Sequence, residues 1–364
     1  MTPRERVLTA LKHQQPDRVP FSWGFGPTPE MTVALQKYLK AQNSDWPTLR
    51  QSAEHINYVG ADYTGPKPPP HCDMWGVQRK PQSYGTGKYD EIERYPLAGF
   101  QTPDEAEAYP WPDPEDYDYA SAREKTLAAH PKRHRATKCF GGNPLEIYSW
   151  MTGLEETLIN FLVNPELVVT CLEYITGYFE ARLRRTLEKI GDFVDIVFIA
   201  DDLGGQQGLL ISREKYREIL QPFHRRLCET SKELSPNCKV MFHSDGSVFE
   251  ILPDLIDAGV DILEAVQVDA AKMDPAGLKQ TYGNQISFHG GISVQQLLPQ
   301  NNAAKVAREC RRLVEVFGKG GGYIAAPTHA IQMGTPPENV PAMLKSVFGD
   351  EEYQGLLEAA RVTT

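Results

Sequence analysis

The chain predicts a (β/α)8 barrel in a single domain over 1–364, with an N-terminal extension and a Pro/aromatic-rich insertion at 64–118. Three observations carry this expectation. From Arg135 onward, short apolar runs alternate with longer segments of helical period, as parallel strands joined by crossover helices do. The strands count to about eight when 19–25 and a strand near Asp62 are included. Polar and ionisable residues gather where these strands end, as at the C-terminal mouth of a barrel. A doubly wound sheet is the alternative. No G-x-G-x-x-G follows the first strand, however, and Gly318-Lys-Gly-Gly-Gly322 precedes a strand instead of opening a helix.

The elements follow in order. Residues 2–13 read as a short helix: Thr2 caps it, Pro3 suits its first turn, and Val7, Leu8 and Leu11 form one apolar face. Pro16-Asp-Arg-Val-Pro20 breaks it, and 19–25 reads as a first strand. The insertion is rich in Pro, Gly, Tyr and Trp, as in Tyr109-Pro-Trp-Pro-Asp-Pro114, so it reads as mostly loop with a small sheet within 75–95. It is either a packed surface excursion or a lid whose aromatics touch a ligand. Strands follow at 137–140, 195–200, 239–242, 261–266, 286–289 and 322–326. Helices are expected at 145–152, 154–162, 165–190, 248–258, 275–282, 303–317 and 337–348. Another starts at Ser212 and is interrupted near Pro222.

Composition narrows the function. Hydrophobic residues make up 41% and charged residues 24%, with a net charge of −10 spread along the chain, which speaks against nucleic acid as a partner. No apolar run reaches the roughly 18–20 residues of a membrane span. No apolar stretch backs the first charged residues, and the six cysteines lack C-x-x-C spacing, so the expectation is a cytoplasmic protein with reduced thiols.

The strand ends carry the candidate chemistry. Read in order they give Asp201 and Asp202, His243 and Asp245, Glu264 and Gln267, His289, and Thr328 with His329; the earlier ends add Trp23, Asp62 and Asn143. His243 and Asp245 stand at i and i+2 and so project to one face. They hold a metal, orient a base, or only tie down a loop. With His329 they supply two nitrogens and one oxygen, and three protein ligands with an open position is the pattern of a catalytic zinc site. His289 is then a fourth ligand or a partner behind the ligands. Asp201 and Asp202 form a carboxylate pair of the kind that raises one pKa and makes an acid, though neighbours on a strand point oppositely. Trp23, Asn143, Gln206, Glu264, Gln267 and His289 are the expected substrate contacts. No G-x-S-x-G, H-E-x-x-H or Walker motif is present.

Several motifs resemble the uroporphyrinogen decarboxylase superfamily. They are the opening Thr2-Pro-Arg-Glu-Arg-Val-Leu-Thr-Ala-Leu11 with Pro16-Asp-Arg-Val-Pro20, Ala200-Asp-Asp-Leu-Gly-Gly-Gln206, Phe242-His-Ser-Asp-Gly-Ser247, Gly321-Gly-Tyr-Ile-Ala-Ala-Pro-Thr-His329 and Gly334-Thr-Pro-Pro-Glu-Asn-Val340. The resemblance implies a (β/α)8 barrel with its active site at the mouth, and a homodimer. One branch decarboxylates uroporphyrinogen without a cofactor, using an arginine-rich motif after the first strand. Here that place reads Phe21-Ser-Trp-Gly-Phe-Gly-Pro-Thr-Pro-Glu30, without arginine to bind carboxylates.

The other branch resembles corrinoid-dependent methyltransferases, whose zinc-using members bind metal through His-x-Cys and a later Cys. Asp245 and His329 stand in place of those thiolates, a harder donor set that suits an oxygen- or nitrogen-bound methyl group. The expectation is a methyltransferase that moves a methyl group from a small methoxylated or N-methylated substrate to the corrinoid of a partner protein. In that scheme zinc sits on His243, Asp245 and His329, and Asp201, Asp202 and His243 are catalytic. The alternative is a cofactor-independent decarboxylase acting on uroporphyrinogen or a smaller acid.

Overall fold

The computed structural model describes residues 1–83 and 88–361. Seven parallel strands form one curled sheet in the order β1-β6-β7-β8-β9-β10-β11. They are β1 (Ile56–Tyr58), β6 (Ala136–Gly142), β7 (Ile196–Ala200), β8 (Lys239–His243), β9 (Ile262–Ala265), β10 (Ser287–Ile292) and β11 (Tyr323–Pro327). The eighth stave is the extended segment around Phe21. Ser22 N–H donates to Ala325 O at 3.0 Å on one side, and His55 N–H donates to Phe21 O at 3.2 Å on the other, so the sheet closes into a barrel.

The expected strand over 19–25 shrinks to this single bridge. Pro20 has no N–H to give, and Gly24 and Gly26, at φ +59° and +72°, turn the chain away. The strand expected near Asp62 lies a few residues earlier, as β1. Asp62 itself sits in a small antiparallel ribbon, β2 (Asp62–Tyr63) with β5 (Tyr117–Asp118). Its exposed carboxylate pairs with Lys125 at 2.6 Å, which removes it from the mouth.

The floor of the barrel is apolar. Ile56, Ala136, Ile196, Met241, Ile262 and Ile324 point inward and meet Val7 and Leu11 of the helix Pro3–Leu11. Thr2 accepts from Glu5 N–H and Glu5 reaches back to the Thr2 N–H, a reciprocal cap that fixes this helix beneath the strands. Full burial of Val7 and Leu11 contributes about 1.5–3 kcal/mol each. Leu8, expected on the same face, lies only at its edge.

The insertion is packed, not loose. Within it β3 (Gln78–Ser83) pairs antiparallel with β4 (Lys88–Arg94). Trp75 contacts Tyr178 at 4.9 Å between centroids, and Trp111 stacks on Tyr174 at 5.3 Å, both tyrosines on the long helix Pro165–Ile190. Pro222 ends no helix. A π-helical turn, Tyr216–Leu220, precedes it, and Pro222 falls in the first turn of the helix Gln221–Leu234, where its missing N–H costs nothing. Among the described residues no helix is long and apolar enough to cross a membrane.

Candidate active site

One level above the apolar floor, the inward positions turn polar. His243 ends β8 and lies in register with Glu264 of β9, which is in register with His289 of β10. Met241 and Ile262, two residues earlier, face the floor, so the two-residue period sends His243 and Glu264 into the barrel. His243 Nδ1 sits 2.5 Å from Glu264 Oε2, and His289 Nδ1 is 3.6 Å from Glu264 Oε1. All three are buried.

Electrostatics tie the level together. Burial works against charge on His243, but the Glu264 carboxylate and its hydrogen bond, with Asp202 and Asp245, raise the imidazole to about 10. Burial likewise opposes ionisation of Glu264. The charge and hydrogen bond of His243, then His289, overcome it and hold the carboxyl well below its usual range. Neither His289 nitrogen has a hydrogen-bond partner among the described residues.

Above this level the structure brings His243, Asp245 and His329 together, with one ligand atom from each within 4.8 Å of the others. Glu264 occupies Nδ1 of His243, which leaves Nε2 facing the mouth. A carboxylate behind a histidine in this way fixes the tautomer a metal ligand needs. A tetrahedral zinc with bonds of about 2.0–2.2 Å spaces its donors at about 3.4 Å, so the trio must draw in by at most about 1.4 Å to hold one. Phe25 packs over the group, stacked on His329 at 4.7 Å and edge-on to His243 at 5.1 Å.

Asp245 reaches this place through the turn beyond β8. Gly246 has φ +79°, and a Cβ there would lie 2.3 Å from Gly204 O. Only glycine lets the loops after β7 and β8 cross so closely. At the crossing, Asp245 N–H donates to Asp202 Oδ1 at 2.7 Å. Burial and the neighbouring Asp202 charge push the Asp245 carboxyl up, while His243 and His329 pull it down; the net shift is upward.

The two aspartates separate. Asp202 is the one at the mouth, 41% exposed, with Oδ1 3.7 Å from His243 Nε2. Asp201 is fully buried and turned into the wall, where His224 Nε2 lies at 2.7 Å and Glu146 N–H donates to it at 2.7 Å. This geometry gives Asp201 a positioning place instead of the catalytic one expected for it. It anchors the start of the helix Pro144–Thr152.

That helix carries an acid absent from the sequence expectations. Glu146 accepts from Asn143 Nδ2 at 2.9 Å and lines a 290 Å³ cavity with Asp202 and Trp150. Burial, then the charges of Asp201 and Asp202, raise its carboxyl to about 7. The Asn143-x-x-Glu146 spacing resembles a capping box, and it is the one sequence signal that points here.

The other expected contacts scatter. Asn143 lies at the mouth and borders a 1250 Å³ cavity whose far wall is the insertion, through Met74, Trp75, Ile92 and Tyr95. Gln267 lines a 490 Å³ cavity with Asp245, Thr328 and His329. Its Oε1 accepts from Gly246 N–H and its Nε2 donates to Gln206 and Gln295, so Gln206 steadies the loop from an exposed position. Trp23 is buried in the wall, where its indole donates to Arg50 O at 2.9 Å and its rings pack on Phe21 and Trp46.

A methylated-thiol–coenzyme M methyltransferase from Methanosarcina mazei is 30% identical over 151 residues, 42% of this chain and 37% of that protein. A uroporphyrinogen decarboxylase from Shewanella loihica is 24% identical over 286 residues, 73% of this chain and 75% of that protein. One from Legionella pneumophila strain Corby is 26% identical over 162 residues. The chain thus spans about two fifths of the length of the Methanosarcina and Legionella relatives, 37% and 43%. In fold it matches a solved methyltransferase from Methanosarcina mazei with a TM-score of 0.66 at 18% identity, covering 95% of this chain and 98% of the other. The family model for uroporphyrinogen decarboxylase (URO-D) matches residues 97–348, and with the barrel and its polar mouth this shows that the chain belongs to the URO-D family.

Proposed function

We propose that the protein is a methyltransferase that takes a methyl group from a small methoxylated or N-methylated compound and passes it to a corrinoid carried by a partner protein. The observation that carries this reading is the trio His243, Asp245 and His329, with Glu264 fixing the histidine behind it. The C–O or C–N bond of the donor breaks, and its electron pair stays on the leaving oxygen or nitrogen. That atom needs a proton or an electrophile to leave. A metal held by His243, Asp245 and His329 would supply electrophilic activation there, and the docked corrinoid the nucleophile that accepts the methyl carbon. Glu146, with its carboxyl raised to about 7, holds a proton at the mouth beside Asp202. The cavity beside the insertion, bordered by Asn143 at the mouth, gives the donor room.

The Methanosarcina methyltransferase relative supports this reading. A second reading, decarboxylation of an acid without a metal, draws on the uroporphyrinogen decarboxylase relatives. The arginine-free segment Phe21–Glu30 weighs against a polyanionic tetrapyrrole as that acid. Metal content of the purified protein, beside His243→Ala and His329→Ala, is the first test. About one equivalent of zinc, lost in both variants, supports the metal centre. Methyl transfer is then read as conversion of Co(I) cobalamin to methylcobalamin in its visible spectrum. A folded wild type that binds no zinc sinks the three-ligand centre.

A further inference from the structure

A second cavity, of 610 Å³, opens where the eighth stave and β1 part company. The two run together at Phe21 and His55, then splay, so Ser22–Phe25 forms one wall and Ile56–Tyr58 the other. Three cations line this space: Arg50, Arg135 and Lys138. Among the described residues none of the three is in an ion pair, although the chain as a whole carries a net charge of −10.

Lys138 is the unusual member. It lies on β6 two residues beyond Ala136, which faces the barrel floor, so its side chain also points inward. Only 5% of it is exposed. Its ammonium lies over the rings of Tyr58 and Phe198, at 4.5 and 4.6 Å, and among the described residues no carboxylate pairs with it. Arg135 spends its guanidinium on Gln51 O and Asn57, both neutral. Glu54 is the one acid in the cavity wall, and backbone N–H groups of Trp23, His55 and Ile56 already occupy its two oxygens. The cavity therefore holds excess positive charge, with the Lys138 ammonium open to it and two exposed aromatics, Phe25 and Tyr58, beside it. Like charges gathered around one cavity repel one another, and an anion bound among them relieves that repulsion.

We infer that this cavity binds the oxyanion head of a small aromatic molecule, with Lys138 as its deep contact, Arg50 and Arg135 at its entrance, and Phe25 and Tyr58 against its ring. The site stands beside the histidine centre, since Phe25 also packs on His329 and His243. It does not depend on the methyl-transfer reading.

The test is calorimetric titration of the full chain, stripped of metal with a chelator, with benzoate, benzenesulfonate and phenyl phosphate, and with benzamide as the neutral match to benzoate. At least one anion is expected to bind about tenfold or more tighter than benzamide, with affinity falling as salt rises. Which anion binds best identifies the head group as carboxylate, sulfonate or phosphate. Lys138→Met is expected to lower that affinity about tenfold while the unfolding midpoint holds. If Lys138→Met does not fold, the double variant Arg50→Gln, Arg135→Gln, altered where side chains are more exposed, is expected to lose the preference over benzamide. Equal binding of benzamide and the anions overturns the inference, as does wild-type affinity in the folded variants or no binding of any anion. Because neither metal nor corrinoid is present, a positive titration stands even if methyl transfer fails.

Discussion

Replacing Glu264 with Gln tests the electrostatic level inside the barrel directly. Glu264 Oε2 lies 2.5 Å from His243 Nδ1, both side chains are buried, and the pair raises His243 to about 10 from an ordinary 6.5. A folded-state value above the unfolded one means that the stabilisation is complete below about pH 6.5 and is lost as pH rises through about 10. At about 1.4 kcal/mol per pH unit, that window sets a ceiling of about 5 kcal/mol for the pair. Glutamine is nearly isosteric and still accepts from Nδ1–H, so the loss is expected below the ceiling, at about 2–4 kcal/mol. Urea unfolding of wild type and Glu264→Gln, with chelator present, measures the difference at pH 6, 8 and 10. The difference should be largest at pH 6 and shrink steadily to pH 10, and groups that titrate alike in both proteins cancel. A difference that stays constant over this range, or one below about 0.5 kcal/mol at pH 6, refutes the charged pair.

Other expectations follow from the same geometry. Glu146→Gln should lower methyl transfer about 10²–10⁴-fold and abolish the fall in wild-type rate as pH rises through about 7, since only the protonated acid donates; a rate profile unchanged by the substitution removes Glu146 from the reaction. Asp201→Asn should cost about 2–4 kcal/mol of stability through its lost partnership with His224, yet leave zinc content at the wild-type level; zinc loss in a folded variant would tie Asp201 to the metal site. Leu11→Ala should cost about 2–5 kcal/mol in chemical unfolding, because Leu11 plugs the barrel floor, and a near-neutral result would mean that the N-terminal helix does not seal it.

Much of the barrel was legible because its signals are local. The strands from 137 onward are short apolar runs bounded by turn residues, and each became a stave. The eighth stave was not, since its single bridge at Phe21 depends on partners at His55 and Ala325, far away in sequence. His243, Asp245 and His329 could be picked out because each ends a strand or follows one closely. Asp245 is placed by the crossing of Gly204 and Gly246, not by strand alternation alone. Which aspartate faces the mouth rests on His224, one helix away, and no pattern around 201 and 202 reveals that contact. Glu146 and Lys138 carry no strand-end signal, since one sits in a helix's first turn and the other partway along a strand. Their meaning comes from burial, which a linear sequence does not display.

The stopper formed by Val7 and Leu11 has a kinetic consequence. A barrel sealed at its floor has its traffic at the opposite end, with the mouth as its port. Anything that docks over that port, a corrinoid carrier included, blocks whatever has not yet entered and traps whatever has. Under the proposed function, the donor must board before the carrier arrives, and the demethylated product must wait for the carrier to leave. Carrier in excess would then slow turnover instead of speeding it.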